Sequence, residues 1–322
     1  MKVLITGSSG WLCRTLMPLL KDRGHDVTGL DVVEGPHTDI VGSVADRILV
    51  DRVFDAQPFD AVVHAGALHK PDIARYPAQA FVDVNVTGTL NLLEAARRRR
   101  GVRFVFTSTT SLMISKAIRE ESAACAVWLD EAFGPIEPRN IYSVTKHAAE
   151  NLCRMHHVST GAPVIVLRTS RFFPEEDDTL TDLPGPNLKC NEMLNRRATT
   201  QDMARAHLAA LEKAHQVGFG LYIVSAPTPF DRKDAAALKA DAAAVILKAF
   251  PHAGSAYAQR GWRLPERISR VYDGRAICRA FDFEYETDFE RVLDHLSRGE
   301  PPPLDHDPSY VSPAWRVGAS IA

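Results

Sequence analysis

The stretch Lys2-Val3-Leu4-Ile5-Thr6-Gly7-Ser8-Ser9-Gly10-Trp11-Leu12 decides the fold. Its first half reads as a short buried strand, Gly7 and Gly10 as a tight turn, and the apolar spacing from Leu12 to Arg23 as a helix. Strand, glycine loop and helix in that order open a βαβ unit, the setting in which such a loop binds a dinucleotide. The glycines let the backbone approach a pyrophosphate, whose charge would rest on the loop and on the first helical amides, at Ser9, Trp11 and Leu12. Asp31 ends the second predicted strand. A carboxylate there accepts both ribose hydroxyls of an adenosine and repels a 2′-phosphate, which predicts NAD over NADP.

Working outward, short β-branched runs alternate with helical stretches. Strands are expected at 2–6, 26–31, 39–41, 61–65, 103–108, 164–168 and 221–224, and helices at 12–23, 80–100, 142–157 and 200–215. This alternation predicts an α/β fold, a Rossmann-type doubly wound parallel sheet with a smaller C-terminal substrate-binding lobe. The dinucleotide domain is expected over 1–168, with about 199–225 returning to it. Past Arg168 the pattern breaks into Phe172-Phe173-Pro174-Glu175-Glu176-Asp177-Asp178 and Pro184-Gly185-Pro186, so 169–198 and 226–298 are assigned to the second lobe. The proline-rich 299–322 reads as a tail.

Composition narrows the class. With 45% hydrophobic residues, 24% charged and a formal net charge of −2, the chain is an ordinary globular protein with no electrostatic bias toward nucleic acid or an anionic membrane. The basic run Arg97-Arg98-Arg99-Arg100 closes a predicted helix just before Gly101, where cations meet the C-terminal dipole favourably. Cys13, Cys125, Cys153, Cys190 and Cys278 are scattered without a C-x-x-C pair, so no metal site and no disulfide framework is expected, and reduced thiols point to a cytoplasmic location. The apolar start is too short for a signal peptide, and no stretch of about 18 apolar residues is long enough to span a membrane.

Chemistry is expected from Tyr142-Ser143-Val144-Thr145-Lys146, whose spacing puts a phenol and an ammonium one helical turn apart on one face. A phenol titrates near 10, so acting as a base near neutrality needs a nearby cation to favour its ionised form. The strand 103–108 runs into Ser108-Thr109-Thr110-Ser111, hydroxyls at the C-terminal edge of a parallel strand, and Thr109 is the one expected to orient the substrate oxygen.

With these elements in place, the chain resembles an extended short-chain dehydrogenase/reductase of the NAD-dependent epimerase/dehydratase family over residues 1–298. The residues that carry the likeness are Thr6 to Gly10, Asp31, Val62-Val63-His64-Ala65-Gly66-Ala67, Asn85 to Ala95, Thr109, Tyr142 with Lys146, Leu167-Arg168 and Asp202-Met203-Ala204. The resemblance implies that Ala65, Gly66, Ala67, Val44 and Ser170 line the cofactor, that Asn85 braces the strand loops, and that Lys146 also holds the nicotinamide ribose. It further implies a homodimer through paired helices, one of them 142–157.

Five positions depart from the family pattern. Cys13 replaces the third small loop glycine, Ser43 replaces an adenine-side Asp, and Arg171 replaces an Asn after the Leu-Arg strand end. Thr110 and Ser111 stand where dehydratases carry an Asp-Glu pair, so a 4,6-dehydratase is not expected. The leading reading is a nucleotide-sugar epimerase with Tyr142 as acid/base. The alternatives are an NAD-dependent dehydrogenase or carbonyl reductase on a smaller substrate, and a non-catalytic NAD-binding regulator. His69, Lys70, Thr110, Arg171 and Arg197 are expected at the substrate, and the positive charge available from Lys70, Arg171, Arg196 and Arg197 suits a phosphate or carboxylate.

Overall fold

A computed structural model describes residues 1–173 and 183–304. Seven parallel strands form one sheet in the order β3-β2-β1-β4-β5-β7-β8. They are β1 (Lys2–Thr6), β2 (Asp26–Asp31), β3 (Ile40–Val41), β4 (Ala61–His64), β5 (Arg103–Thr109), β7 (Val164–Thr169) and β8 (Phe219–Val224). The doubly wound sheet expected from the alternating pattern is therefore present, and the strand order reverses between β1 and β4, which run parallel. Ligands bind at such a switch point, outside the carboxyl ends of the strands.

Alternation along each strand explains the layering. Val3, Ile5, Val63, Val105, Ile165 and Leu167 point to one side, where α1 (Trp11–Asp22) and α8 (Thr200–Val217) cover them. Leu4, Val62, Phe104, Phe106, Val164 and Val166 point to the other, beneath α2 (Arg47–Ala56), α4 (Gly88–Arg97) and α6 (Ile141–Thr160). Both faces are filled, so the strands needed no polar alternation to form.

The structure differs from expectation at several elements. The helix predicted over 80–100 is α3 (Ala78–Phe81), then a wider i→i+5 turn over Val82–Thr87, then α4. Such turns insert an extra residue into the helix and rotate side chains; here the turn delivers Asn85. Of the basic run, only Arg97 lies in α4, and Arg98 and Arg99 reach out to Asp51, Asp55 and Asp60. A small parallel sheet joins β6 (Val127–Leu129) to β9 (Arg270–Tyr272), two strands that the pattern did not reveal. Short helices α5 (Lys116–Arg119), α7 (Gly185–Met193), α9 (Ala235–Ala240), α10 (Ala242–Ala249), α11 (Ala253–Ala258), α12 (Arg275–Phe281) and α13 (Phe289–Ser297) complete the described chain. Most of the acidic turn expected after Phe173 and most of the proline-rich tail lie outside the described residues.

Among the described residues no helix is long and apolar enough to cross a membrane, and no cluster of His, Cys, Asp or Glu could hold a metal ion.

Candidate active site

At the mouth of β1, Gly7 adopts φ +73°, and a Cβ built on it would lie 2.6 Å from the Gly66 amide nitrogen. Only glycine allows that left-handed turn with the two strand ends so close. A buried polar chain fixes the approach. Thr89 Oγ1 donates to the Asn85 carbonyl (2.6 Å), so it accepts from His64 Nε2 (3.0 Å). The other ring nitrogen, Nδ1, must then accept from Thr6 Oγ1 (2.7 Å), and Thr6 Oγ1 in turn accepts from the Gly66 amide (3.1 Å). Burial and the nearby Lys146 hold His64 well below the usual histidine range, so the ring is neutral and can serve as donor and acceptor at once. The sequence reading had His64 in a motif but missed this role; three polar residues at buried strand and helix positions were the available signal.

Asp31 Oδ2 accepts from the Ser9 amide (2.9 Å) and Oδ1 from the Val33 amide (3.1 Å), while burial raises its pKa. Thr38 shares hydrogen bonds with the hydroxyls of Ser8 and Ser9, both at 2.8 Å, which lace the segment after β2 onto the glycine loop. Trp11 and Leu12 are buried at the start of α1 behind Gly10. Val44 presses on Gly88, and its carbonyl accepts from Asn91. Asn85 grips Leu68 by both backbone groups (2.9 and 3.0 Å) and reaches Thr145 (3.1 Å), which ties Ala65 to Leu68 to α6. Cys13 is fully buried with its thiol pushed up by desolvation, and α1 runs through it without a break.

Two features of the crevice fit a dinucleotide. The cradle at Gly7 and Gly66 is one a side chain would fill. Ser170, at the carboxyl end of β7, has a buried Oγ with no partner among the described residues. Its amide is already committed to the Val224 carbonyl (2.9 Å), so only the hydroxyl remains to meet a ligand.

Thr109 and Tyr142 meet beside this crevice. The Ser111 amide donates into Thr109 Oγ1 (3.1 Å), which leaves the threonine proton free for its hydrogen bond with the Tyr142 oxygen. Burial pushes the phenol up to about 12, the Thr109 bond working against that rise and the charge of Asp72 adding to it. One turn on, Lys146 is 2% exposed and pushed down to about 7 by desolvation. Its Nζ lies 4.0 Å from the Phe106 ring centroid, a cation–π contact that keeps the ammonium at the sheet edge. The expected lowering of the phenol by Lys146 is not seen: burial dominates, and the influence that opposes it comes from Thr109.

The helix that carries the pair is set by local chemistry. Asn140 caps α6 by accepting from the Ser143 amide (2.9 Å), and Gly161 ends it in the left-handed conformation. Its buried stripe is Tyr142, Lys146, Ala149, Glu150 and Cys153. Glu150 takes a bidentate bond from Arg168 (2.9 and 2.7 Å) and another from Ser108 (2.6 Å), so that a saturated ion pair locks α6, β5 and β7 under the Thr109 and Tyr142 hydroxyls. Sequence reasoning missed Glu150, although it lies one turn after Lys146 on the same face.

The expected substrate residues divide. The His69 ring stands between Tyr142 and Phe173, with centroids 5.8 and 5.9 Å apart, and burial lowers it to about 4. Arg171 lies just past β7 with its side chain 30% exposed. Lys70 is exposed at the start of a 3₁₀ turn. Thr110 is instead spent on the Thr169 carbonyl (3.2 Å), and Arg197 is buried against Glu192 (2.8 Å) and the Phe173 carbonyl (3.0 Å), so both serve the protein.

The model of the family described as "NAD dependent epimerase/dehydratase family" matches residues 3–183. Among curated proteins, the chain is 33% identical over 170 residues to GDP-6-deoxy-D-mannose reductase of Pseudomonas aeruginosa, covering 52% of this chain and 51% of that one. It is 28% identical over 201 residues to dTDP-glucose 4,6-dehydratase of Xanthomonas campestris pv. campestris, covering 54% and 55%. The chain thus spans about half the length of the curated relatives it matches. A solved short-chain dehydrogenase/reductase superfamily protein from Agrobacterium tumefaciens with bound NAD superposes with a TM-score of 0.64 at 21% identity, covering 92% of this chain and 96% of that one.

Proposed function

The chain belongs to the NAD-dependent epimerase/dehydratase family, and from that premise we propose that it moves hydride between NAD and a secondary alcohol carbon, with a nucleotide sugar as substrate and epimerisation as the reaction. The observation that carries this reading is the bonded pair Thr109–Tyr142 with Lys146 one turn behind it, at the strand edge that borders the glycine loop. Gly7, Gly10 and the first amides of α1 would hold the pyrophosphate, Asp31 the adenosine ribose, and Lys146 the nicotinamide ribose. Bound NAD supplies the hydride acceptor and a cationic ring. Thr109 orients the substrate oxygen, Tyr142 takes and returns its proton, and the buried Glu150–Arg168 pair keeps both hydroxyls in register.

The geometry around Thr110 and Ser111 disfavours elimination of water. Thr110 and Ser111 stand in the carboxylate positions; the first is occupied by Thr169, and the second receives a hydrogen bond from Ser143 (3.3 Å). One observation favours the second reading, a dehydrogenase on a smaller substrate: Arg171 holds the place of the usual Asn and is anchored to Glu192. Purifying the chain without added cofactor and identifying the dinucleotide released on denaturation separates the two. Near-stoichiometric NAD is expected for an epimerase, which never exchanges its cofactor. An empty chain that binds added NAD means the dehydrogenase, and a chain that binds none removes both readings.

Asp31 should also set cofactor choice. Asp31→Ala is expected to weaken NAD by about tenfold and NADP by much less, since losing the carboxylate costs ribose hydrogen bonds but relieves repulsion of a 2′-phosphate. Equal losses in the two titrations would overturn the assignment. We also propose that two copies pair through α6, whose Val144, Met155 and Val158 form an exposed apolar stripe.

A further inference from the structure

The turn that carries His69 is built on a buried acid. Asp72 lies in the 3₁₀ turn Lys70–Ala74 and is 3% exposed. Its Oδ2 accepts from the His69 amide (2.7 Å), while its own amide donates back to the His69 carbonyl (3.0 Å). The amides of Arg75 and Tyr76 then both donate to the Asp72 carbonyl (2.9 Å each). His69 is thus gripped at both of its backbone groups by one residue. That grip decides where the His69 ring stands, between Tyr142 and Phe173.

A reciprocal cap of this kind needs an acceptor rather than a charge, since a neutral amide serves it as well as a carboxylate. Burying the charged form costs free energy that a neutral acceptor would spare. Burial raises the Asp72 pKa, with the His69 amide and the charge of Arg75 working against that rise. The same negative charge bears on Tyr142 and opposes its ionisation. Like charges repel strongly in a wall with little water to screen them. The other groups packed around the phenol are Leu68, Phe81, Val84, Ile141 and the ring of Tyr76. His69 is pushed down to about 4 and is neutral, and Lys146, on the same helix as Tyr142, is pushed down to about 7. Above neutrality Lys146 loses its charge, so among the described residues Asp72 is the ion that persists in this wall.

We infer that Asp72 is a positioning residue for Tyr142: it fixes the His69 ring against the phenol and keeps a buried negative charge in the same wall, so that the phenol stays protonated unless a cation enters the crevice. The consequence for turnover rests on the hydride-transfer reading, because the proton acceptor is then armed only in the loaded site. The effect on the phenol itself depends on neither NAD nor a substrate.

Fluorine NMR of the full chain, with its seven tyrosines replaced by 3-fluorotyrosine, tests it, because the ring fluorine acidifies the phenol and reports its ionisation. The Tyr142 signal is the one lost in Tyr142→Phe. Asp72→Asn keeps an oxygen for the His69 amide but removes the charge. Its Tyr142 signal should titrate at lower pH, with about threefold more phenolate at a fixed pH below the midpoint. Asp72→Ser, neutral and smaller, should do the same and keeps the test sound if the Asn variant folds poorly. Asp72→Ala lacks the acceptor as well, so its Tyr142 signal should also broaden as the His69 ring loses its hold. Asp83→Asn, which alters an exposed acid paired with Gln79, should leave the midpoint unchanged. All these chains share every other charge, including that of Glu175 to Asp178, so the comparison isolates the one removed. A Tyr142 midpoint that is the same in Asp72→Asn, Asp72→Ser and the wild type, or an equal shift in Asp83→Asn, overturns the proposal. A shifted phenol together with full turnover in Tyr142→Phe overturns the hydride-transfer reading alone.

Discussion

Tyr142→Phe lowers turnover by about a thousandfold, within the range supplied by a positioned proton acceptor, while NAD affinity stays within about twofold because no loop contact changes. The ring remains packed on His69, and the variant forfeits only the bond to Thr109, about 1 kcal/mol of stability. The pH profile gives a second readout. Because burial raises the phenol to about 12, its ionised fraction below that pKa grows about tenfold for each pH unit. Oxidation of the alcohol should therefore speed up as pH climbs from neutrality, and bound NAD, being cationic, should move the rise to lower pH. Tyr142→Phe should flatten the curve. Wild-type rates independent of pH across this interval, or full activity in the variant, would remove Tyr142 as the base.

Gly7→Ala carries the second large effect. The new methyl would approach the Gly66 nitrogen at 2.6 Å and the Ala65 carbonyl carbon at 2.9 Å, both backbone atoms that cannot rotate away. The left-handed conformation adds roughly 1–2 kcal/mol of its own for a side-chain-bearing residue, and forced overpacking another 1–3 kcal/mol. A melting temperature lower by about 5 °C or more is expected, together with loss of NAD binding, since the relay that ends on Gly66 is pushed apart. Gly24 tests the specificity of this argument. It also has positive φ, but nothing lies within 4 Å of its added Cβ, so Gly24→Ala should be destabilised by strain alone and retain the cofactor. Similar NAD loss in both variants would show that the close approach at Gly7 is not what matters.

How much the sequence disclosed depended on whether the governing interaction was local. Lys2–Thr6 was readable to the residue because a buried parallel strand leaves a continuous apolar run ended by a loop signal, and Asp26–Asp31 because it follows the first helix in the βαβ order and ends on an acid. Tyr142 and Lys146 were readable because four residues along a helix is a fixed displacement. The strand Val127–Leu129 was not, since its partner is supplied far along the chain and three apolar residues alone do not signal pairing. The interruption at Val82–Thr87 escaped for the opposite reason: the helical pattern continues through it, and only the demand that Asn85 meet Leu68 forces the wider turn. Charge was the least legible quantity. Arg171 and Arg197 both looked available, and only the placement of Glu192 on α7 shows that both are paired within the protein.

The small sheet of β6 and β9 has a consequence for anyone who would transplant specificity. The family match stops at residue 183, which invites treating everything beyond as an exchangeable cassette. Yet β7 is completed by β8, and Val127–Leu129, which precedes the Tyr142 helix, is completed by Arg270–Tyr272 near the far end. A chimera cut after β7 would leave β6 facing a foreign strand and carry only half of the ladder. The smallest graft that keeps its own hydrogen bonds must bring the 127–129 segment with it, so this part of the fold is built from two stretches that no single crossover can move.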